Sequence, residues 1–164
     1  MEVIYEDNHI IVVSKSSGEI VQGDKTGDTP LTDTVKAYIK EHYAKPGDVF
    51  LGVTHRLDRP VSGAVVYART SKGLSRMDDL FRKGEVEKTY LAIVKNRPPK
   101  DVDELRHWIV RNEKQNKSYA YDTNKPGSKE ARLRYRLIGI SDRYCLLEVR
   151  LLTGRHHQIR CQLA

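Results

Sequence analysis

A carboxylate set between two guanidiniums is the strongest chemical pattern in the chain: His55-Arg56-Leu57-Asp58-Arg59-Pro60-Val61-Ser62-Gly63. Beside arginines, Asp58 is expected to be anionic at neutral pH. It would then be a poor general acid but a usable nucleophile. An ion pair that merely fastens a loop is the plainer reading of any such neighbourhood. Three histidines, His55, His156 and His157, together with Asp58 suggest a metal site at first sight. Adjacent His156 and His157 on a helix would point in different directions, and no H-x-x-x-H or H-E-x-x-H spacing occurs, so no metal is expected.

The elements around Asp58 would hold it rigidly. Val49-Phe50-Leu51-Gly52-Val53 before it and Ala64-Val65-Val66-Tyr67-Ala68 after it are short apolar runs of the kind that form buried strands. Asp58 therefore falls in a polar loop between two core strands, where a fixed scaffold can position a reactive group. Upstream, Asp7-Asn8-His9 between two apolar runs predicts a tight hairpin, closed by Lys15-Ser16-Ser17-Gly18. Thr29 as N-cap and Pro30 at the first helical position predict a helix that places Leu31, Val35, Tyr38 and Ile39 on one face and stops near Pro46-Gly47.

Downstream, Ser71 is the expected cap of a second helix burying Leu74, Met77, Leu80 and Phe81. Val86 to Val94 is a strand, alternating early and fully buried late. Leu105 to Val110 and Lys117 to Tyr121 are two short strands. Glu130 to Ile140 alternates, with Ala131, Leu133, Tyr135 and Leu137 inward and Arg132, Arg134 and Arg136 outward. It makes a hairpin with Tyr144 to Leu152, and Arg155 to Leu163 reads as a final helix. Many strands, few helices and short connections give an α+β fold with a mixed, largely antiparallel sheet and flanking helices.

The chain of 164 residues carries 29 Lys and Arg against 22 Asp and Glu, a net charge of +7. The excess is concentrated between Arg106 and Arg136, which suggests a polyanionic partner such as nucleic acid. No apolar run approaches a membrane span of ~20 residues, so no membrane partner is expected. Cys145 and Cys161 lie in apolar contexts without C-x-x-C spacing and read as reduced core residues. With no secretory pattern at the N-terminus, a cytoplasmic location is expected.

Two segments read together resemble the signature motifs of the RluA-type pseudouridine synthases: His55 to Gly63, and Leu151-Leu152-Thr153-Gly154-Arg155-His156-His157-Gln158-Ile159-Arg160. Lys88-Thr89-Tyr90 is similar to that family's short Lys-x-Tyr motif. Val12 to Gly18 is similar to its N-terminal Lys-Pro-x-Gly segment, with Ser16 where Pro is usual and, further on, Val61 where Thr is frequent.

The resemblance covers nearly the whole chain. It implies an enzyme that isomerises uridine to pseudouridine in tRNA or rRNA, with no cofactor. It implies that Asp58 is the essential carboxylate, that Tyr90 stacks on the target base, that Arg160 pairs with Asp58, and that Arg56 enters the space left by the flipped nucleotide. Attack on C1′, attack on the base and proton abstraction from C2′ all remain open for Asp58. RNA binding is assigned to the outward row Arg132, Arg134 and Arg136. A single catalytic domain over 1–164 is expected, without an S4-type domain and with its C-terminal part missing or disordered, acting as a monomer on RNA and not on DNA. The alternative is a non-catalytic RNA-binding protein on the same fold.

Overall fold

Asp7 turns the chain into its first hairpin by accepting the backbone N–H groups of His9 (2.7 Å) and Ile10 (2.8 Å) on one carboxylate oxygen. The flanking runs become β1 (Glu2–Glu6) and β2 (Ile10–Lys15), paired antiparallel. The computed structural model describes residues 1–164, and the chain divides into two compact units, Met1–Lys83 and Gly84–Ala164.

In the first unit, β1 and β2 join β3 (Gly52–Val53) and β4 (Gly63–Ala68) in a four-stranded antiparallel sheet of order β1-β2-β4-β3. Helix α1 (Leu31–His42) buries Leu31, Val35 and Ile39 against Ile11, Val13, Val65 and Tyr67. It starts one residue later than the sequence predicts. Pro30 is extended (φ −77°, ψ 156°) at the cap, no side chain caps the first turn, and the Leu31 N–H instead donates to the Ile20 carbonyl.

Helix α2 (Ser71–Lys83) is capped by Thr70 and not by Ser71: the Thr70 hydroxyl accepts the Gly73 N–H at 3.0 Å. Its expected apolar stripe is shallower than predicted, with Leu80 exposed and only Gly73 fully buried. The helix approaches the hairpin so closely at Gly73 that an added Cβ would lie 2.6 Å from the His9 carbonyl oxygen.

The second unit is a five-stranded antiparallel sheet of order β5-β9-β8-β6-β7. Its strands are β5 (Lys88–Val94), β6 (Val102–Asn112), β7 (Lys117–Tyr121), β8 (Lys129–Ile140) and β9 (Cys145–Leu151). Alternation sets its two faces. Leu133, Tyr135, Leu147 and Val149 form the core, with Tyr90, Leu105, Ile159 and Leu163 packed on them. β5 alternates to its end: Leu91 and Ile93 are 68% and 73% exposed, so the expected late burial does not occur, because they stand opposite Glu148 and Leu146 on the outer face of the sheet, which is not covered there. β6 is nearly twice the predicted length, paired along β8 from Val102 to Ile109. The last helix, α3 (Gln158–Gln162), is shorter than Arg155 to Leu163. All strand pairs are antiparallel, within the α+β class read from the sequence.

Candidate active site

Asp58 lies in the loop between β3 and β4, and that loop is built by side chains that replace a missing strand. β3 leaves the sheet after Val53, so the outward backbone groups of Val66 lose their ladder partners. Thr54 and His55 take over: the Thr54 hydroxyl donates to the Val66 carbonyl (2.6 Å), and His55 Nε2 accepts the Val66 N–H (3.0 Å). The His55 ring also packs on Phe81 of α2 at 5.2 Å. These contacts lead the chain out to Arg56 and Asp58, both exposed, and a turn closed by the Val61 N–H on the Asp58 carbonyl (2.9 Å) brings it back. Gly63 re-enters the sheet at φ +144°, a conformation that strains any residue with a Cβ.

Beneath this turn sits a residue whose role the sequence analysis missed. Lys15 is 1% exposed, and its ammonium donates to four backbone carbonyls: Val61 (2.6 Å), Arg59 (3.1 Å), Asp58 (3.2 Å) and Ser16 (3.2 Å). Burial pushes its pKa down, countered in part by the carboxylates of Glu19 and Asp58. The signal was present in the alternation of β2: Ile11, Val13 and Lys15 share one phase, so a lysine had to stand on the core face and there needed acceptors. The Ser17 hydroxyl on the Pro60 carbonyl (2.9 Å) and the Gly18 N–H on that of Arg59 (2.8 Å) complete the clamp.

Arg59 serves a neighbouring loop. Its guanidinium bonds Asp28 (2.6 Å) and Thr26 (3.0 Å), with Asp24 at 3.9 Å, so it fastens residues 24–28 to the Asp58 turn.

The second unit carries Tyr90 and Arg160. Tyr90 is half-buried on the core face of β5, opposite Val149. Arg160 lies on the exposed side of α3, between two buried glutamines one turn apart. Gln158 donates to the Arg132 carbonyl (3.0 Å) and accepts from the Arg155 N–H and the Thr153 hydroxyl (both 2.9 Å). Gln162 donates to His107 Nδ1 (3.0 Å) and the Ala131 carbonyl (3.2 Å). Because i and i+4 share a helix face, fixing both glutamines to the sheet fixes Arg160 on the opposite side. A Cβ at Gly154 would lie 3.2 Å from Nζ of Lys88, the flexible end of a long side chain, whose pKa burial lowers.

The two histidines before this helix do not diverge. His157 adopts a left-handed backbone (φ 53°), and its ring stacks on His156 at 3.7 Å. His156 Nδ1 also shares a hydrogen bond with the Ser118 hydroxyl (2.8 Å).

Arg132, Arg134 and Arg136 do form a row on the outer face of β8, but carboxylates pair with every member. Glu104 of β6 accepts from both Arg132 and Arg134, and Glu148 of β9 from Arg136 (3.1 Å). The same face also pairs Arg106 with Glu130 and Arg150 with Glu87. Side-chain hydrogen bonds from Arg132 and Arg134 hold the Glu104 carboxyl below its usual pKa. The row is thus part of a cross-strand charge ladder of nearly balanced sign.

Comparison with known proteins accounts for this assembly of motifs. The sequence pattern of the RNA pseudouridylate synthase family matches residues 9–164. The chain is 31% identical to the tRNA pseudouridine synthase C of Vibrio cholerae, over all of this chain and 69% of that protein. It is 30% identical to the ribosomal large subunit pseudouridine synthase C of Rickettsia bellii, over 96% of this chain and 50% of that one. The solved structure of human RNA pseudouridylate synthase domain containing 4 superposes with a TM-score of 0.82 at 23% identity, covering 99% of this chain and 63% of the human one. That likeness establishes the fold. The chain spans about half to two thirds of the length of these relatives.

Proposed function

Since the chain belongs to the RNA pseudouridylate synthase family, we propose that it isomerises uridine to pseudouridine in tRNA or rRNA, with Asp58 as the catalytic carboxylate. The bond between uracil N1 and ribose C1′ breaks, the ring turns over, and C5 bonds to C1′. C5 loses a proton and N1 gains one, so atoms and electrons balance without an oxidant or a phosphoryl donor.

The observation that carries this reading is the seat of Asp58. Its carboxylate is exposed, while the backbone that bears it is locked from below by Lys15. A reactive side chain on an immobilised turn is what positional catalysis needs. The reacting atoms of a stacked nucleotide are inaccessible, so the uridine must leave the stack at a cost of a few kcal/mol. Stacking on Tyr90 would recover about 1–3 kcal/mol. In this reading Arg160 pairs with the carboxylate, as the motif match implies, and Arg56 fills the space vacated by the base. Both are exposed guanidiniums on fixed elements.

The test is Asp58→Asn. It is expected to abolish pseudouridine formation in total tRNA and rRNA while RNA affinity stays within a few-fold, because the substitution removes the chemistry and leaves the basic surface intact. Retained isomerase activity would overturn the assignment. A wild-type chain that binds RNA but leaves every uridine unchanged would favour a binding protein on the same fold.

A further inference from the structure

We propose that the outer face of β6 and β7 is a base-stacking platform for an unpaired stretch of the RNA, built from Trp108, Tyr119 and Tyr121; the proposal rests on the reading of the chain as an enzyme acting on RNA. The register places these rings together. Trp108 stands opposite Tyr121 and Val110 opposite Tyr119, so all four share one face of the hairpin. Directly opposed residues have Cβ atoms about 4.5–5.5 Å apart, so Trp108 and Tyr121 project side by side, with Tyr119 next along the same face. Nothing in the second unit covers it: Tyr119 and Tyr121 are 43% and 39% exposed. The intervening Ser118 turns to the opposite face, where its hydroxyl meets His156 and its carbonyl accepts from Cys161.

The charge around the rings selects the partner. From 111 to 129 there are five basic side chains and two acidic ones. Lys117 stands on the platform face, opposite Asn112. The Lys125 ammonium lies 6.0 Å from the Tyr121 ring centre, and the Arg106 guanidinium 5.1 Å from that of Trp108. Unlike the β8 arginines, neither lysine belongs to an ion pair, so their charge remains available to phosphates. Protein-binding surfaces are depleted in lysine, whereas aromatic rings interleaved with free cations are how single strands are held, ring on base and cation on backbone. β7 is also a sheet edge. Lys117 at its start guards it against pairing with another strand while leaving the ring face open.

The platform is separate from the reacting nucleotide. Tyr90 is on β5 at the other edge of the sheet, four strand spacings or about 19 Å away, and it faces the opposite side. The nucleotides held here would therefore flank the target in the folded RNA, giving the second unit a way to choose among uridines by the unpaired bases nearby.

Trp108 is the single tryptophan of the chain, so its emission reports on the platform alone. Titration of the wild-type protein with an unmodified tRNA transcript should quench that emission in step with binding followed by anisotropy. Tyr119→Leu and Tyr121→Leu should each weaken binding by about 5- to 150-fold, with the loss appearing in KM. Tyr119→Phe and Tyr121→Phe, which keep the ring, should restore affinity. Both side chains are exposed, and circular dichroism verifies that the variants fold. Unmoved Trp108 emission, or leucine variants that bind as wild type while pseudouridine still forms, overturns the platform alone. A wild-type chain that neither binds nor modifies RNA overturns the platform and the proposed function together.

Discussion

Replacing Lys15 by Met tests how the Asp58 turn is held. Methionine keeps the buried stem of Lys15 and removes only the ammonium, which donates to four carbonyls at 2.6–3.2 Å. An ammonium has three protons, so at most three of these bonds are at full strength. Three acceptors left without a donor cost about 1 kcal/mol each. The depressed pKa, caused first by burial, means that part of this gain offsets the desolvation of the charge, which sets the expected loss at about 2–3 kcal/mol. For a chain of this size the melting temperature should then fall by about 4–12 °C. Pseudouridine formation, measured well below the new melting point, should fall much further than stability does, because the released turn carries Asp58.

The sign with pH follows from the same shift. A lysine whose folded pKa lies below its unfolded value of 10.5 binds fewer protons in the folded state between those two values. Its contribution to stability therefore rises with pH across that window. The stability gap between wild type and Lys15→Met should widen as pH climbs towards 10.5. A variant with unchanged melting temperature and activity would refute the argument that this ammonium holds the loop; a gap that narrows with rising pH would refute the downward shift, since it would mean that the carbonyls favour the charged form more than burial opposes it.

Two further substitutions test the frame around the site. Gly73→Ala should destabilise by about 1–3 kcal/mol in a denaturant titration, although Ala normally favours a helix. The new Cβ would lie 2.6 Å from the His9 carbonyl oxygen, which the Arg69 N–H holds in place at 2.8 Å; an equal or higher midpoint would contradict this packing. Glu104→Gln should flatten the acid side of the stability–pH curve. Hydrogen bonds from Arg132 and Arg134 hold the Glu104 pKa below its usual 4.5, so its contribution is present above that value and lost as pH falls through the folded one. The same variant releases both arginines, and RNA affinity should become more steeply salt-dependent; an unchanged salt slope would mean the β8 row does not face the RNA.

Local patterning determined much of this protein. Alternation from Glu130 to Ile140 sorted Leu133 and Tyr135 inward and the arginines outward, because strand period depends only on neighbours along the chain. Asp7-Asn8-His9 encoded its own turn, and the apolar runs on either side of Asp58 put it in a loop between strands. The family motifs were legible in the same way, since each is a short contiguous run.

What depended on partners distant in sequence had to await the fold. The acceptors of Lys15 at Asp58, Arg59 and Val61 lie 43 to 46 residues away. Arg59 chose Asp28 across a loop. The row at Arg132, Arg134 and Arg136 found Glu104 and Glu148 only once β6 and β9 lay on either side of β8. Leu91 and Ile93 read as buried until their face of the sheet proved to be uncovered. A sequence fixes which face of its strand a side chain takes, because that is set by backbone geometry within a few residues. It leaves open which charge that side chain meets, because register and strand order are settled by the packing of the whole sheet.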